Sequence, residues 1–119
     1  MSYVDGFVVP VPKKKRSAYV AMARKACRVW KDYGALDYRE CLADDVSWGK
    51  RTSFPRSVKL KKSEEVWFSW IVYRNRKHRD AVMKKVMKDK RLASMMDPKK
   101  MPFDAKRMIF GGFKVMVGI

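Results

Sequence analysis

The sequence predicts an α+β protein with a ferredoxin-like βαββαβ antiparallel sheet that carries two helices on one face. Two observations support this fold class. Several short runs are rich in aromatic and β-branched residues, as strands are, and two longer segments place apolar residues at three- and four-residue steps, as helices do. In chain order these elements are strand, helix, strand, strand, helix and strand, and right-handed crossovers then give the ferredoxin-like arrangement. The 119 residues are expected to form a single domain, residues 1–119.

The first half of the chain is predicted to hold two strands with a helix between them. Tyr3–Val11 is aromatic and β-branched and ends at prolines, which indicates a strand. A helix is expected over Lys13–Tyr33, with Gly34 as its C-terminal stop. Leu36–Val46 is predicted to be the second strand, and a turn is expected around Gly49.

The second half begins with Ser53–Lys59, predicted to be extended, and with Lys61–Glu65 as the connection into the next strand. That strand, Val66–Tyr73, is the most apolar run of the chain. Successive side chains of a strand point to opposite faces, and in this run both faces receive large apolar residues. A second helix is expected over Arg74–Lys90.

The chain is predicted to finish with an irregular link, Leu92–Pro102, which contains Pro98, and with a last strand, Lys106–Val117. A bulge is expected at Gly111–Gly112.

Two helices cover only one face of such a sheet, so the other face would expose a large apolar patch. We therefore predict a homodimer in which two copies pack sheet to sheet about a two-fold axis.

The charge of the chain is strongly positive. Lysine and arginine number 29 against 12 acidic residues, a formal net charge of +17, whereas about 2 to 8 is usual for a small domain. Such a surface attracts nucleic acids and acidic proteins whatever the fold.

No secretory leader and no run of about 20 apolar residues is found, so a soluble, cytoplasmic protein without membrane insertion is expected. Cys27 and Cys41 are predicted to be plain thiols, and no metal or cofactor is predicted.

Five segments in chain order resemble the YbaA-like family of unknown function, which belongs to the dimeric α/β barrel superfamily. They read YVDGFVVPVP, GALDYRECLADDV, SFPRSVK, FSWIVYRNRKHRDAV and MPFDAKRMIFGGFKV. The resemblance implies the same fold and the same dimer, but it implies no reaction. Related families of the superfamily include cofactor-free monooxygenases, haem proteins and isomerases, and fold alone does not choose among them.

The helices are more basic than this resemblance implies. Lys13–Gly34 holds eight basic residues against Asp32, and Arg74–Arg91 holds nine against Asp80 and Asp89. Like charges four residues apart destabilise a helix by roughly 0.2 to 0.5 kcal/mol per pair, so positive charge is present at some cost. Two explanations stay open, an engineered, supercharged surface or a natural basic paralogue that binds nucleic acid.

The basic helices form the first candidate site, a surface for polyanions such as RNA, DNA or acidic proteins. The residues assigned to it are Lys13, Lys14, Lys15, Arg16, Arg24, Lys25, Arg28, Arg76, Lys77, Lys84, Lys85 and Lys88. Counterion release requires only charge, and no recognised nucleic-acid motif is present, so non-specific binding is predicted.

A second candidate site is a ligand pocket between the sheet and the helices. Asp5 lies inside an apolar strand and should have a partner, and Arg107 on the last strand is predicted to supply it. Trp70 is expected to line the same pocket. A buried structural salt bridge is the favoured interpretation of the pair, and a structural role is favoured for His78. No catalytic residue is assigned.

Three hypotheses about function follow. The leading one is a non-catalytic homodimeric scaffold whose cationic surface binds polyanions without sequence specificity. The second is a small-ligand-binding protein or cofactor-independent enzyme that uses the pocket at Asp5, Trp70 and Arg107. The third is a building block for charge-driven co-assembly with an acidic partner.

Overall fold

A computed structural model describes residues 2–97 and 99–119, so Pro98 of the predicted link lies outside the described residues. The elements in chain order are β1 (Tyr3–Pro12), a 3-10 turn (Lys13–Lys15), α1 (Arg16–Asp32), β2 (Asp37–Leu42), α2 (Phe54–Ser57), β3 (Glu64–Tyr73), α3 (Arg76–Val86), α4 (Lys90–Ala93) and β4 (Ile109–Lys114). None of the helices in these ranges is both long enough and apolar enough to cross a membrane.

The four strands form one antiparallel sheet in the order β2-β3-β1-β4. The predicted mixed α+β class with an antiparallel sheet is thus confirmed. The central pair, β1 and β3, runs in continuous register from Tyr3↔Tyr73 to Pro12↔Glu64. Because side chains alternate along both strands, this pairing assigns each of their residues to one face of the sheet.

The two long helices pack on one face of the sheet through narrow apolar stripes. α1 buries Tyr19, Ala23, Ala26 and Val29, which recur at three- and four-residue spacing. α3 buries only Val82 and Val86. Against them pack residues of the sheet such as Tyr3, Ile71 and Tyr73. Most basic residues of both helices are therefore left on the solvent side, and Arg79 of α3 is the exception.

The opposite face of the sheet is only partly covered. Near one end, Val58 packs against Val8 and Val66, just after α2. Farther along, Phe68 and Phe113 are 40% and 63% exposed. A sheet face with large exposed aromatic side chains agrees with the predicted apolar second face, whereas the homodimer stays a prediction.

Two predicted irregular or extended segments contain short helices. Ser53–Lys59 is not extended, because the Ser53 side chain accepts a hydrogen bond from the Arg56 backbone N–H at 3.1 Å and begins α2, with a proline in its first turn. The predicted link begins inside α4, which covers Leu92 and Ala93 and is capped by the Asp89 side chain accepting from the Arg91 N–H at 2.8 Å. Side-chain caps of this kind decide the conformation of segments that have no apolar period.

The last strand is shorter than predicted and has no bulge at the predicted position. β4 begins at Ile109, because the preceding residues form a turn in which the Arg107 N–H donates to the Asp104 carbonyl at 3.2 Å. The ladder between β1 and β4 is one to one, with Gly112 opposite Asp5. Gly112 instead admits the ring of Tyr3, since a Cβ there would lie 2.7 Å from Tyr3 Cε2.

Candidate ligand site between the sheet and the helices

A cavity of about 330 Å³ lies between the helix side of the sheet and α1, α3 and residues 87–96 and 101–108. Its volume is at the lower end of the range, roughly 300 to 1,000 Å³, that is usual for small-molecule sites. The wall is mainly apolar. Seven of the nine methionines of the chain line it, on α1, on α3 and within 87–96 and 101–108. Its aromatic lining residues are Phe7, Tyr19, Trp30, Tyr38, Phe103 and Phe110.

A carboxylate held by two tyrosines forms one polar end of the cavity, which we call the Glu40 pole. Tyr19 Oη donates to Glu40 Oε1 at 2.7 Å, and Tyr38 Oη donates to Glu40 Oε2 at 2.9 Å. Tyr38 and Glu40 are alternate residues of β2, so both face the helices, and Tyr19 reaches them from α1. Burial raises the pKa of Glu40, although the tyrosine hydrogen bonds oppose the shift.

Both tyrosine hydroxyls are held as donors. Burial, followed by the negative charge of Glu40, raises the pKa of Tyr19 and of Tyr38 above the ordinary value. They therefore stay protonated at neutral pH and donate to Glu40. The sequence interpretation missed this pole. The spacing Tyr38-x-Glu40 could have indicated it, because it places a carboxylate on the apolar face of a strand.

The second polar end of the cavity is an ion pair, which we call the Asp5 pole. Arg79 Nη1 of α3 donates to Asp5 Oδ1 at 2.7 Å, and Arg79 Nε donates to Asp80 Oδ1 at 2.8 Å. The guanidinium of Arg79 also lies 5.0 Å from the centre of the Tyr3 ring. Burial raises the pKa of Asp5, and the charge of Arg79 opposes part of that shift.

The predicted pairing of Asp5 with Arg107 is wrong. Arg107 precedes β4, and its guanidinium donates instead to Glu64 Oε1 at 2.8 Å and to Asp104 Oδ2 at 3.0 Å. The hydrogen bond from Arg107 holds the pKa of Glu64 below its usual value. Arg107 thus joins the turn before β4 to the start of β3 and is not a lining residue of the cavity.

The predicted position of Trp70 in the cavity is also wrong. Its neighbours Ser69 and Ile71 line the cavity, so the alternation of β3 turns Trp70 to the opposite face of the sheet. There Trp70 Nε1 donates to Asp37 Oδ2 at 3.2 Å, and its ring packs on Phe68. Of the three residues predicted to share a pocket, only Asp5 lines this one.

The two poles lie at separate places on the floor of the cavity. Glu40 is opposite Ser69, and Asp5 is opposite Ile71, two residues farther along β3. Asp5 and Glu40 are on the strands that flank β3, so their Cα atoms are about 12 Å apart by standard sheet spacings. A ligand must therefore be extended to contact both poles.

The twelve basic residues of the predicted polyanion surface are all exposed. They lie on the 3-10 turn, on α1, and on α3 or just beyond its end. Two of them have acidic partners, since Arg16 pairs with Glu65 at 2.8 Å and Arg76 lies 3.9 Å from Asp80. Within residues 2–97 and 99–119, every ion pair uses an arginine. The lysines of the surface are thus without carboxylate partners.

His78 has a local structural contact. Its Nδ1 accepts the Arg74 backbone N–H at 3.0 Å, and its own backbone N–H donates to the Asn75 side chain at 2.8 Å, which caps α3. Burial and the charge of Arg74 lower the pKa of His78. Over the described ranges, no cluster of His, Cys, Asp and Glu has the arrangement to hold a metal ion.

Fold and cavity together define a small α+β protein with a mainly apolar site between an antiparallel sheet and its helices. The chain belongs to the family described as "Protein of unknown function (DUF1428)", whose model matches residues 2–105. This family membership, together with the relatives below, confirms the resemblance noted from the five segments.

The chain is 50% identical over 117 residues to "Uncharacterized protein YbaA" of Escherichia coli (strain K12), with 98% of each chain covered. The same values hold for "Uncharacterized protein YbaA" of Shigella flexneri. Among solved structures, "De novo designed protein Foldit4" aligns with a TM-score of 0.44 and 9% identity, covering 95% of this chain and 94% of that one.

The raised pKa of Glu40 makes a prediction about stability. The folded carboxyl group binds its proton more tightly than the unfolded one, whose pKa is near the ordinary value of 4.5. The stability from this group is present below that pH and is lost as the pH rises through the raised pKa. We therefore expect the free energy of unfolding of Glu40→Gln, taken relative to that of wild type, to be higher at pH 8 than at pH 4.

Urea unfolding of both proteins at the two pH values measures this difference. Asp44→Asn, which removes an exposed carboxylate, controls for the loss of one negative charge. If Glu40→Gln changes the free energy of unfolding by the same amount at both pH values, the raised pKa of Glu40 is contradicted.

Proposed function

We propose that the protein binds one small, mostly apolar molecule in the cavity between the sheet and the helices, with polar groups of the ligand at the Glu40 and Asp5 poles. The observation that carries the proposal is an apolar cavity of about 330 Å³ with two carboxylates in its wall. Such a combination of apolar lining, few polar groups and perturbed carboxyl pKa values is typical of binding sites.

A structural role explains the Glu40 pole less well. Replacing buried charged groups by apolar residues of similar size is often neutral or stabilising, so a charge retained beside an apolar wall costs stability. A carboxylate with a purely structural role is expected to be enclosed by its partners. Glu40 is half-buried and lines open space, and each of its oxygens accepts one tyrosine hydrogen bond.

We also propose that the chain has the ferredoxin-like arrangement and that two copies pack sheet to sheet as a dimeric α/β barrel. The strand order and the antiparallel pairings support the arrangement. On the open face, the middle of β1, β3 and β4 presents uncharged side chains around a hollow of about 530 Å³, although a third of the chain's residues are charged. A second copy brings the same uncharged surface, which suits an isologous interface.

A second candidate function is polyanion binding by the exposed basic residues of the 3-10 turn, α1 and α3. The specific observation in its favour is that the lysines there have no carboxylate partners, so phosphates do not have to displace an existing ion pair. Co-assembly with an acidic protein rests on the same surface. Binding of polyanions to this surface is the same whether the charge is natural or engineered. Because the cavity lies on the inner side of the helices, ligand binding and polyanion binding are compatible.

Filling the cavity should abolish ligand binding. Ala26 of α1 is buried and lines the cavity, whereas Ala21 of the same helix is exposed. We expect Ala26→Leu to weaken binding of the neutral dye N-phenyl-1-naphthylamine by roughly 10-fold or more, because extra methylenes in a packed site cost about 1 to 3 kcal/mol. Ala21→Leu should bind like wild type. Dye fluorescence gives both affinities, and equal loss or no loss in the two variants would refute the site.

A charge on the open face should separate the dimer. Phe113 is 63% exposed, so Phe113→Lys is expected to leave the isolated chain folded, whereas in a sheet-to-sheet dimer it buries a cation without a partner. Light scattering should give twice the chain mass of 14.0 kDa for wild type and for Phe113→Leu, and the single chain mass for Phe113→Lys. A wild-type mass of one chain would show that the dimer is wrong.

Removing lysines from the helices should weaken polyanion binding more than removing the same charge elsewhere. The helix variant replaces by glutamine Lys14, Lys15, Lys84 and Lys85. The control replaces four exposed lysines outside the surface, Lys50, Lys62, Lys99 and Lys100.

For heparin and for two unrelated RNA sequences, we expect the slope of log affinity against log salt to become less steep by about 3 units in the helix variant, since each released counterion contributes roughly 0.7 to 0.9. Equal losses in both variants would show that total charge, and not this surface, sets the affinity.

A further inference from the structure

Glu40 retains acceptor capacity toward the cavity. A carboxylate has about four lone-pair positions, and the two tyrosine hydroxyls occupy one on each oxygen. Ser69, the residue opposite Glu40 in the sheet, is a third side-chain hydrogen-bond partner, which leaves about one of these positions open. The other donors of the wall are engaged elsewhere, since Arg79 donates to Asp5 and the Trp30 indole donates to Tyr73, and the remaining lining is mainly apolar carbon and methionine. A further donor to Glu40 must come from whatever occupies the cavity.

A neutral donor fits this place better than a cation. The whole chain carries a formal net charge of +17, and Arg79 is already at the other pole of the same cavity. A second cation would also lose its hydration against an apolar wall. A hydroxyl group is not repelled by the positive charge and has no ionic hydration to lose, and it makes a charge-assisted hydrogen bond with the carboxylate.

The rest of the cavity suits an aromatic ring. Phe7 and Phe110 stack with their ring centres 6.1 Å apart at the floor, and Tyr19 meets the edge of Phe103 at 5.7 Å. Thioether sulfurs make favourable contacts with aromatic rings, and methionine side chains adapt to ligand shape. Aromatic neighbours prefer offset or edge-on rings, which this wall provides.

We propose that the ligand is a small hydroxylated aromatic molecule whose hydroxyl donates to Glu40 while its ring lies between the aromatic and methionine walls. This inference rests on the proposed ligand-binding function and specifies the chemistry at one of its poles. The Asp5 pole, where Asp5 and Arg79 together offer acceptors and donors, receives a second polar substituent when the ligand has one.

A pair of ligands that differ only in the donor tests the proposal. The probes are 2-naphthol and 2-methoxynaphthalene, each measured by displacement of N-phenyl-1-naphthylamine. Hydrogen bonds to charged groups contribute about 1.5 to 3 kcal/mol net, so wild type should bind 2-naphthol roughly 10- to 100-fold more tightly than its methyl ether. This comparison requires no variant and is independent of any effect of mutation on folding.

Two variants assign the preference to a residue. Glu40→Gln keeps an acceptor but removes the charge, so its preference for 2-naphthol should fall below about 5-fold. Asp5→Asn removes the other cavity carboxylate and should retain the wild-type preference. A preference lost in Asp5→Asn and kept in Glu40→Gln would place the hydroxyl at the other pole and overturn the assignment.

The remaining outcomes separate this inference from the function on which it rests. If both naphthalenes displace the dye with equal affinity, the inference is wrong and ligand binding stands. If neither displaces it, the inference is wrong as well. The proposed function itself fails only when Ala26→Leu and Ala21→Leu do not differ in their affinity for the dye.

Discussion

The register between β1 and β3 is the constraint on which the rest of the structure depends. With Tyr3 opposite Tyr73 and Pro12 opposite Glu64, the alternation of both strands sends Asp5 and Ile71 toward the helices and sends Phe68 toward the open face. A slip of one residue exchanges these sets, because the side-chain period of a strand is two. The cavity would then lose Asp5 to the open face, and the uncharged middle of that face would gain a carboxylate. The site and the proposed interface are thus two consequences of one pairing.

The sequence was sufficient for features that repeat along the chain and insufficient for those that depend on one contact. Periodicity located the four strands, α1 and α3, since burying a face requires a regular pattern. It did not locate α2, which begins at the cap made by Ser53 and is too short to show a period. The partner of Asp5 depends on how α3 crosses β1, which brings Arg79, 74 positions away, within 2.7 Å. Trp70 was a different error, because strict alternation in β3 already places it beside Phe68.

Arginine and lysine have different roles in this fold. Three ion pairs join separate elements through an inward-facing carboxylate: Arg16 with Glu65, Arg79 with Asp5 and Arg107 with Glu64. Arginine suits this work because its planar group makes two directed hydrogen bonds with a carboxylate. The carboxylates of these pairs are buried or nearly so. The lysines remain outside, where their mutual repulsion is screened by salt. Among the described residues, the lysines therefore take no part in the ion pairs.

The cavity also bears on how stability is distributed. A core closed by aliphatic side chains would bury more apolar surface than one with a cavity and two carboxylates in its wall. Residues whose pKa burial raises, such as Glu40 and Asp5, favour the folded state less when they ionise. Two tyrosines and Arg79 offset part of this cost by directing hydrogen bonds at the carboxylates. They do not remove the cavity, which a larger side chain at Ala26, a lining residue of α1, would partly fill. A fold that keeps both the space and the charges has a feature that stability alone does not favour, and the proposed ligand binding would account for it.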